Sequence, residues 1–188
     1  MSRKLATNSV ATARLLRHTD GGNALHSGGG FSVAKRGTNT VSVEVYIWTP
    51  SIHNFNIGHA AIKVTGGMPP GDVYLSAWPK TQLGKILGPM VRQKYADDIA
   101  AEDGKLPTTF RFYSLDETAI KAKIDQLVRE NTYAILTDNC CSHVRDGLNA
   151  GVNWALATTL TLSSGGLVSN PFQLTAYCRQ LSLLERHR

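Results

Sequence analysis

Val41-Ser42-Val43-Glu44-Val45-Tyr46-Ile47-Trp48 alternates apolar and polar side chains as far as Glu44 and then runs continuously apolar. Its β-branched content and period of two predict a strand with one face on a core. The pattern continues downstream. A loop from Thr49 to Asn56, marked by Pro50 and two asparagines, precedes a predicted second strand from Ile57 to Val64. The cluster Gly66-Gly67-Met68-Pro69-Pro70-Gly71 predicts a turn, and Asp72 to Trp78 a third strand that Pro79 stops. Strands joined by such short loops predict an antiparallel meander.

Residues 80 to 107 are mixed, with Gly84, Gly88, Pro89 and an acidic patch of Asp97, Asp98, Glu102 and Asp103. They read as a long surface excursion holding one short helix, of the kind that is functional or mobile more often than idle. Thr108 to Tyr113 predicts a fourth strand. Asp116 then caps a helix to about Asn131, with Ile120, Ile124, Leu127 and Val128 on one face. Tyr133 to Leu136 is a short apolar link into Asp138-Asn139-Cys140-Cys141-Ser142-His143-Val144-Arg145-Asp146-Gly147-Leu148-Asn149-Ala150-Gly151, which reads as a capped helix. Asp138 or Asn139 can accept from its first N–H groups, Val144 and Leu148 form an apolar stripe, and Gly151 is placed to end it. Val152 to Leu162 is apolar and Gly165-Gly166 a turn. Asn170-Pro171 begins a final helix with Leu174, Tyr177, Cys178 and Leu181 inward. The predicted fold class is α+β, a single antiparallel sheet of about four to six strands with helices packed on it.

Upstream, residues 1 to 40 are rich in Ser, Thr, Asn, Gly and Arg and poor in large apolar side chains. They predict a flexible basic tail, and the acid-free stretch Ser2 to Arg17 also fits an export or targeting signal. Residues 41 to 188 form the expected domain, since 188 residues with 42% hydrophobic content suit one sizeable core. The formal net charge of +6 belongs mostly to the tail, which carries six Lys/Arg against Asp20. The remainder is nearly neutral and lacks the basic groove of a nucleic-acid binder. No apolar run reaches the length of about 18 residues that spans a bilayer. The N-terminal stretch lacks the apolar core of a secretory signal, so action in a cytosol or export by a specialised machine is expected. Cys140, Cys141 and Cys178 cannot build a disulfide framework, because two are adjacent.

A cysteine on the first turn of a helix sits in the positive end of the helix dipole, which favours thiolate. Cysteine catalysis also needs an imidazole and a polar group to orient it. His59 is the first candidate base, because a strand holds it rigidly and Gly58 permits close approach of substrate. His143 and His53 are rivals; His18, His26 and His187 fall in weakly patterned segments. Ser76 or Tyr74, on the neighbouring strand, could face the imidazole if the strands pair. Two other chemistries compete. His59, Cys140, Cys141 and His143 could hold zinc, although adjacent cysteines on a helical turn coordinate one ion poorly, and buried cysteines are often inert.

Gly58-His59-Ala60-Ala61-Ile62, then Tyr74-Leu75-Ser76-Ala77-Trp78-Pro79, then Asn139-Cys140 opening a helix that ends Leu148-Asn149-Ala150-Gly151, resemble the circularly permuted members of the NlpC/P60 (papain-like) superfamily. The lecithin–retinol acyltransferase group has a similar Asn-Cys helix start. The segment Asn170-Pro171-Phe172-Gln173-Leu174 resembles one that follows the cysteine helix in bacterial members. The resemblance covers about residues 41 to 183 and implies Cys140 as nucleophile, His59 as base and Ser76 as the orienting residue. Gly58, Trp78 and Cys141 are the expected substrate-binding residues. Cys141 departs from the pattern, since relatives more usually carry a small or polar residue there, and it leaves two thiols as candidate nucleophiles. The implied activity is cysteine-dependent hydrolysis of peptide or amide bonds without a cofactor. Acyl transfer, lipid-ester hydrolysis and a non-catalytic binding module are the alternatives. The Trp-Pro motif is similar to that of secreted bacterial toxins and effectors, which implies a peptide, protein or peptidoglycan substrate and a secretion chaperone or immunity protein as partner.

Overall fold

Alternation along β1 (Ser42–Trp48) turns Val43, Val45 and Ile47 to one face, and all three are buried. In the computed structural model, which describes residues 42–51, 57–67, 71–81, 87–163 and 170–186, β1 is an interior strand of the sheet, with a partner on each side. It pairs antiparallel with β2 (His59–Thr65), Trp48 opposite His59, and β2 pairs antiparallel with β3 (Val73–Pro79), Ala61 opposite Ser76. The expected meander is thus present. The basic tail, His18, His26, His53, His187 and the Gly165-Gly166 turn lie outside the described residues.

Two strands were not expected. β4 (Gly88–Arg92) adds to β3, and the excursion continues from it into the short helix α1 (Tyr95–Ala101). β5 (Thr108–Phe112) pairs with the other side of β1. After α2 (Glu117–Glu130), the two residues of β6 (Thr132–Tyr133) pair with Gly88 and Pro89. The sheet has six strands in the order β5-β1-β2-β3-β4-β6, all antiparallel. β4 left no legible alternation because only Met90 of its five residues is buried. β6 is too short to carry a period.

The aliphatic face of the sheet is covered by α2, α3 (Cys140–Ala150) and α5 (Pro171–Arg186). Ile120, Ile124 and Leu127 of α2, Val144 and Leu148 of α3, and Leu174, Tyr177, Cys178 and Leu181 of α5 are buried on the faces their spacing predicts. α4 (Trp154–Ser163) links α3 to α5. A Cβ on Gly147 would stand 3.4 Å from the Ile62 side chain, so α3 lies close over β2. Gly151 ends α3 for a different reason than a left-handed cap, since its φ is −85°. A Cβ there would meet the Ile120 side chain at 2.6 Å. Among the described residues, no helix is long and apolar enough to cross a membrane.

Candidate active site

Opposite the aliphatic face, register aligns Trp48, His59 and Trp78 across β1, β2 and β3. The His59 ring stacks on Trp78 with centroids 4.2 Å apart, and Trp48 lies 5.5 Å away on its other strand neighbour. His59 is 2% exposed. A ring so enclosed keeps one orientation, which a base needs.

His59 Nε2 lies 2.9 Å from Ser76 Oγ, and Ser76 Oγ donates to Asp98 Oδ1 at 2.7 Å. With its proton directed at the carboxylate, the hydroxyl accepts from the imidazole N–H. Asp98 Oδ1 itself is 3.7 Å from Nε2. The carboxylate also takes the Trp78 indole N–H at 2.8 Å and the Tyr74 hydroxyl at 2.5 Å. Ser76 and Asp98 are both fully buried. Asp98 was expected on the surface with its acidic neighbours. The structure instead turns α1 so that Asp98 meets β3, and three donors compensate its burial. Tyr74, expected as an alternative partner of the imidazole, holds the carboxylate. Tyr74, Ser76 and Trp78 alternate onto one face of β3 and line up three donors, of which Ser76 is fully buried, but nothing in that alternation names Asp98 as their acceptor.

At the start of α3, Asn139 is the cap. Its Oδ1 accepts from the N–H groups of Cys141 at 2.9 Å and Ser142 at 3.2 Å, while Asn139 N donates to Ser142 Oγ. His143 N–H bonds to the Asn139 carbonyl. This cap does not use the Cys140 N–H, and Cys140 itself reaches the His59 strand. Its thiol is held well below the ordinary range, first by the hydrogen bond from the Cys141 thiol, against the opposing effect of burial. The charge and hydrogen bond of His59 and the N–H of Ala60 act in the same direction as Cys141. Since Nε2 is engaged by Ser76, Nδ1 is the ring nitrogen left for the sulfur. Cys141 is driven the other way, by its hydrogen bond to Cys140 and by burial, and burial likewise raises Cys178. The two adjacent thiols are thus pushed in opposite directions, Cys140 down and Cys141 up.

The rivals are placed elsewhere. His143 is 1% exposed with Nε2 2.7 Å from Asp138 Oδ1, and its Nδ1 has no partner among the described residues. Of the four proposed zinc ligands, His143 is turned to Asp138 and away from the other three, and among the described residues no three His, Cys, Asp or Glu side chains are grouped to hold a metal.

A cavity of about 200 Å³ opens beside Cys140. Gly58 and Cys141 are in its wall, whereas Trp78 lies against the imidazole. Gly58 has φ +80°, and a Cβ there would stand 2.6 Å from the Trp48 carbonyl oxygen and 2.8 Å from Pro171. Glycine is thus required by the backbone conformation and by its packing. No protein-family model matches the chain, and no curated protein or solved structure is significantly similar to it.

Proposed function

We propose that the chain is a cysteine hydrolase of peptide or amide bonds on a permuted NlpC/P60-like fold, with Cys140 as nucleophile and His59 as base. The observation that carries this reading is the continuous line of contacts from Cys140 through His59 and Ser76 to the buried Asp98. Such a line serves both halves of an acyl transfer. The Cys140 thiolate adds to the carbonyl carbon, and the oxyanion forms at the α3 N-terminus beside the Cys140 N–H. The C–N bond breaks as His59 gives its proton to the leaving amine. Water then adds to the thioester, His59 takes the water proton, and the C–S bond breaks to return the thiolate. Ser76 and Asp98 keep Nε2 protonated, so that Nδ1 exchanges the proton. Cys141 serves as a donor to the nucleophile.

The test is the mass change of peptide, protein and peptidoglycan-fragment substrates on incubation. Hydrolysis adds one water across a cleaved bond, and Cys140→Ala abolishes it with the fold retained. Loss of turnover in Cys141→Ala but not in Cys140→Ala would contradict the assignment.

A further inference from the structure

The cavity beside the nucleophile has a chemistry of its own. Ile57, Ile135, Pro171 and the ring of Tyr133 supply its apolar wall, with Gly58 beside them. Among the described residues, none that lines it is charged. The two lining asparagines direct their side chains to the backbone and to a neighbour. Asn139 caps α3 and donates to the Ile135 carbonyl, while Asn170 Oδ1 accepts from Phe172 N and Gln173 N and its Nδ2 donates to Gln173. Pro171 has no N–H, and Leu174 N–H bonds to the Asn170 carbonyl, so the first turn of α5 offers no donor to an anion. Ile57 is 59% exposed, and Leu136 and Phe172, next in sequence to two lining residues, are 80% and 65% exposed.

Direction follows from the mechanism. The leaving group must lie where His59 can protonate it, and His59, Ser76 and Asp98 are not in this wall. The cavity thus receives the acyl side of the substrate. Size sets its content: a dry cavity of about 150 Å³ holds a benzene ring, whereas pockets for drug-sized ligands start near 300 Å³. About 200 Å³ suits one side chain. We infer that this cavity selects a single uncharged apolar side chain, of leucine or phenylalanine size, next to the scissile carbonyl. The inference rests on Cys140 being the nucleophile.

The experiment measures labelling of Cys140 by N-acetyl amino-acid chloromethyl ketones bearing Gly, Leu, Phe, Asp or Lys side chains, with iodoacetamide as a reagent that needs no pocket. The Leu and Phe reagents should label about 10- to 100-fold faster than Gly, the range that apolar pockets achieve, with Asp and Lys no faster than Gly. Ile135→Lys should raise the Asp-to-Leu rate ratio by about 10-fold or more. Rates equal within about threefold, or fastest for a charged reagent, would overturn the pocket while fast iodoacetamide labelling of Cys140 left the nucleophile standing. If iodoacetamide and every ketone label Cys140 no faster than Cys178, both readings fall.

Discussion

Burying a carboxylate is costly unless donors answer it, and Asp98 is answered by Ser76, Trp78 and Tyr74. An investment of three donors in one acid fits a role in holding the His59 ring rather than in folding alone. Asp98→Asn keeps the shape but presents an amide where a carboxylate took hydrogen bonds. It should lower kcat/KM by about 100-fold, within the range a general base contributes. Ser76→Ala should cost only about tenfold, because Asp98 Oδ1, at 3.7 Å from Nε2, is near enough to replace the hydroxyl after a small rotation. Steady-state kinetics of the two variants checks the order, and a larger loss for Ser76→Ala would contradict it. At this scale His59 and Ser76 were legible, because strand alternation aims them. Asp98 was hidden: an acid in an acidic run reads as surface, and its burial is decided by α1 docking on β3.

At the scale of elements, α3 is fixed at both ends by side chains. Asn139 closes its start, and Gly151 closes its end by leaving room for Ile120, which is fully buried. Because φ at Gly151 is ordinary, alanine there adds no backbone strain, only crowding. Gly151→Ala should destabilise the protein by about 1–3 kcal/mol, the usual cost of overpacking. Ile120→Ala removes both the Cδ1 and the Cγ1 that the new methyl would meet, at 2.6 and 2.7 Å, so the added cost of Gly151→Ala should shrink in that background. Urea unfolding of the wild type, the two single variants and the double variant measures the coupling, and strict additivity would contradict the contact. α2, α3 and α5 were legible because each carries an apolar stripe at helical spacing. β4 and β6 were not, because they are held by neighbours, through Gly88, Pro89 and the end of β3, and not by a pattern of their own.

Over the whole molecule, the antiparallel meander brings His59 to the row between Trp48 and Trp78, and α3 then delivers Cys140 to the same ring. The sheet class and the order of histidine strand before cysteine helix could be read in advance; the meeting of the two could not, since it depends on how α3 crosses β2. That meeting lowers the pKa of the sulfur. The depressed thiol makes the reactive thiolate persist at low pH, and its reactivity is lost only as the pH falls through the lowered value. The direct measurement is the pH dependence of Cys140 alkylation by iodoacetamide in the native protein and in His59→Ala. A midpoint well below the ordinary thiol value of about 8.5, moving up toward it when the imidazole is removed, is the predicted result. A midpoint at about 8.5 in both proteins would contradict the account.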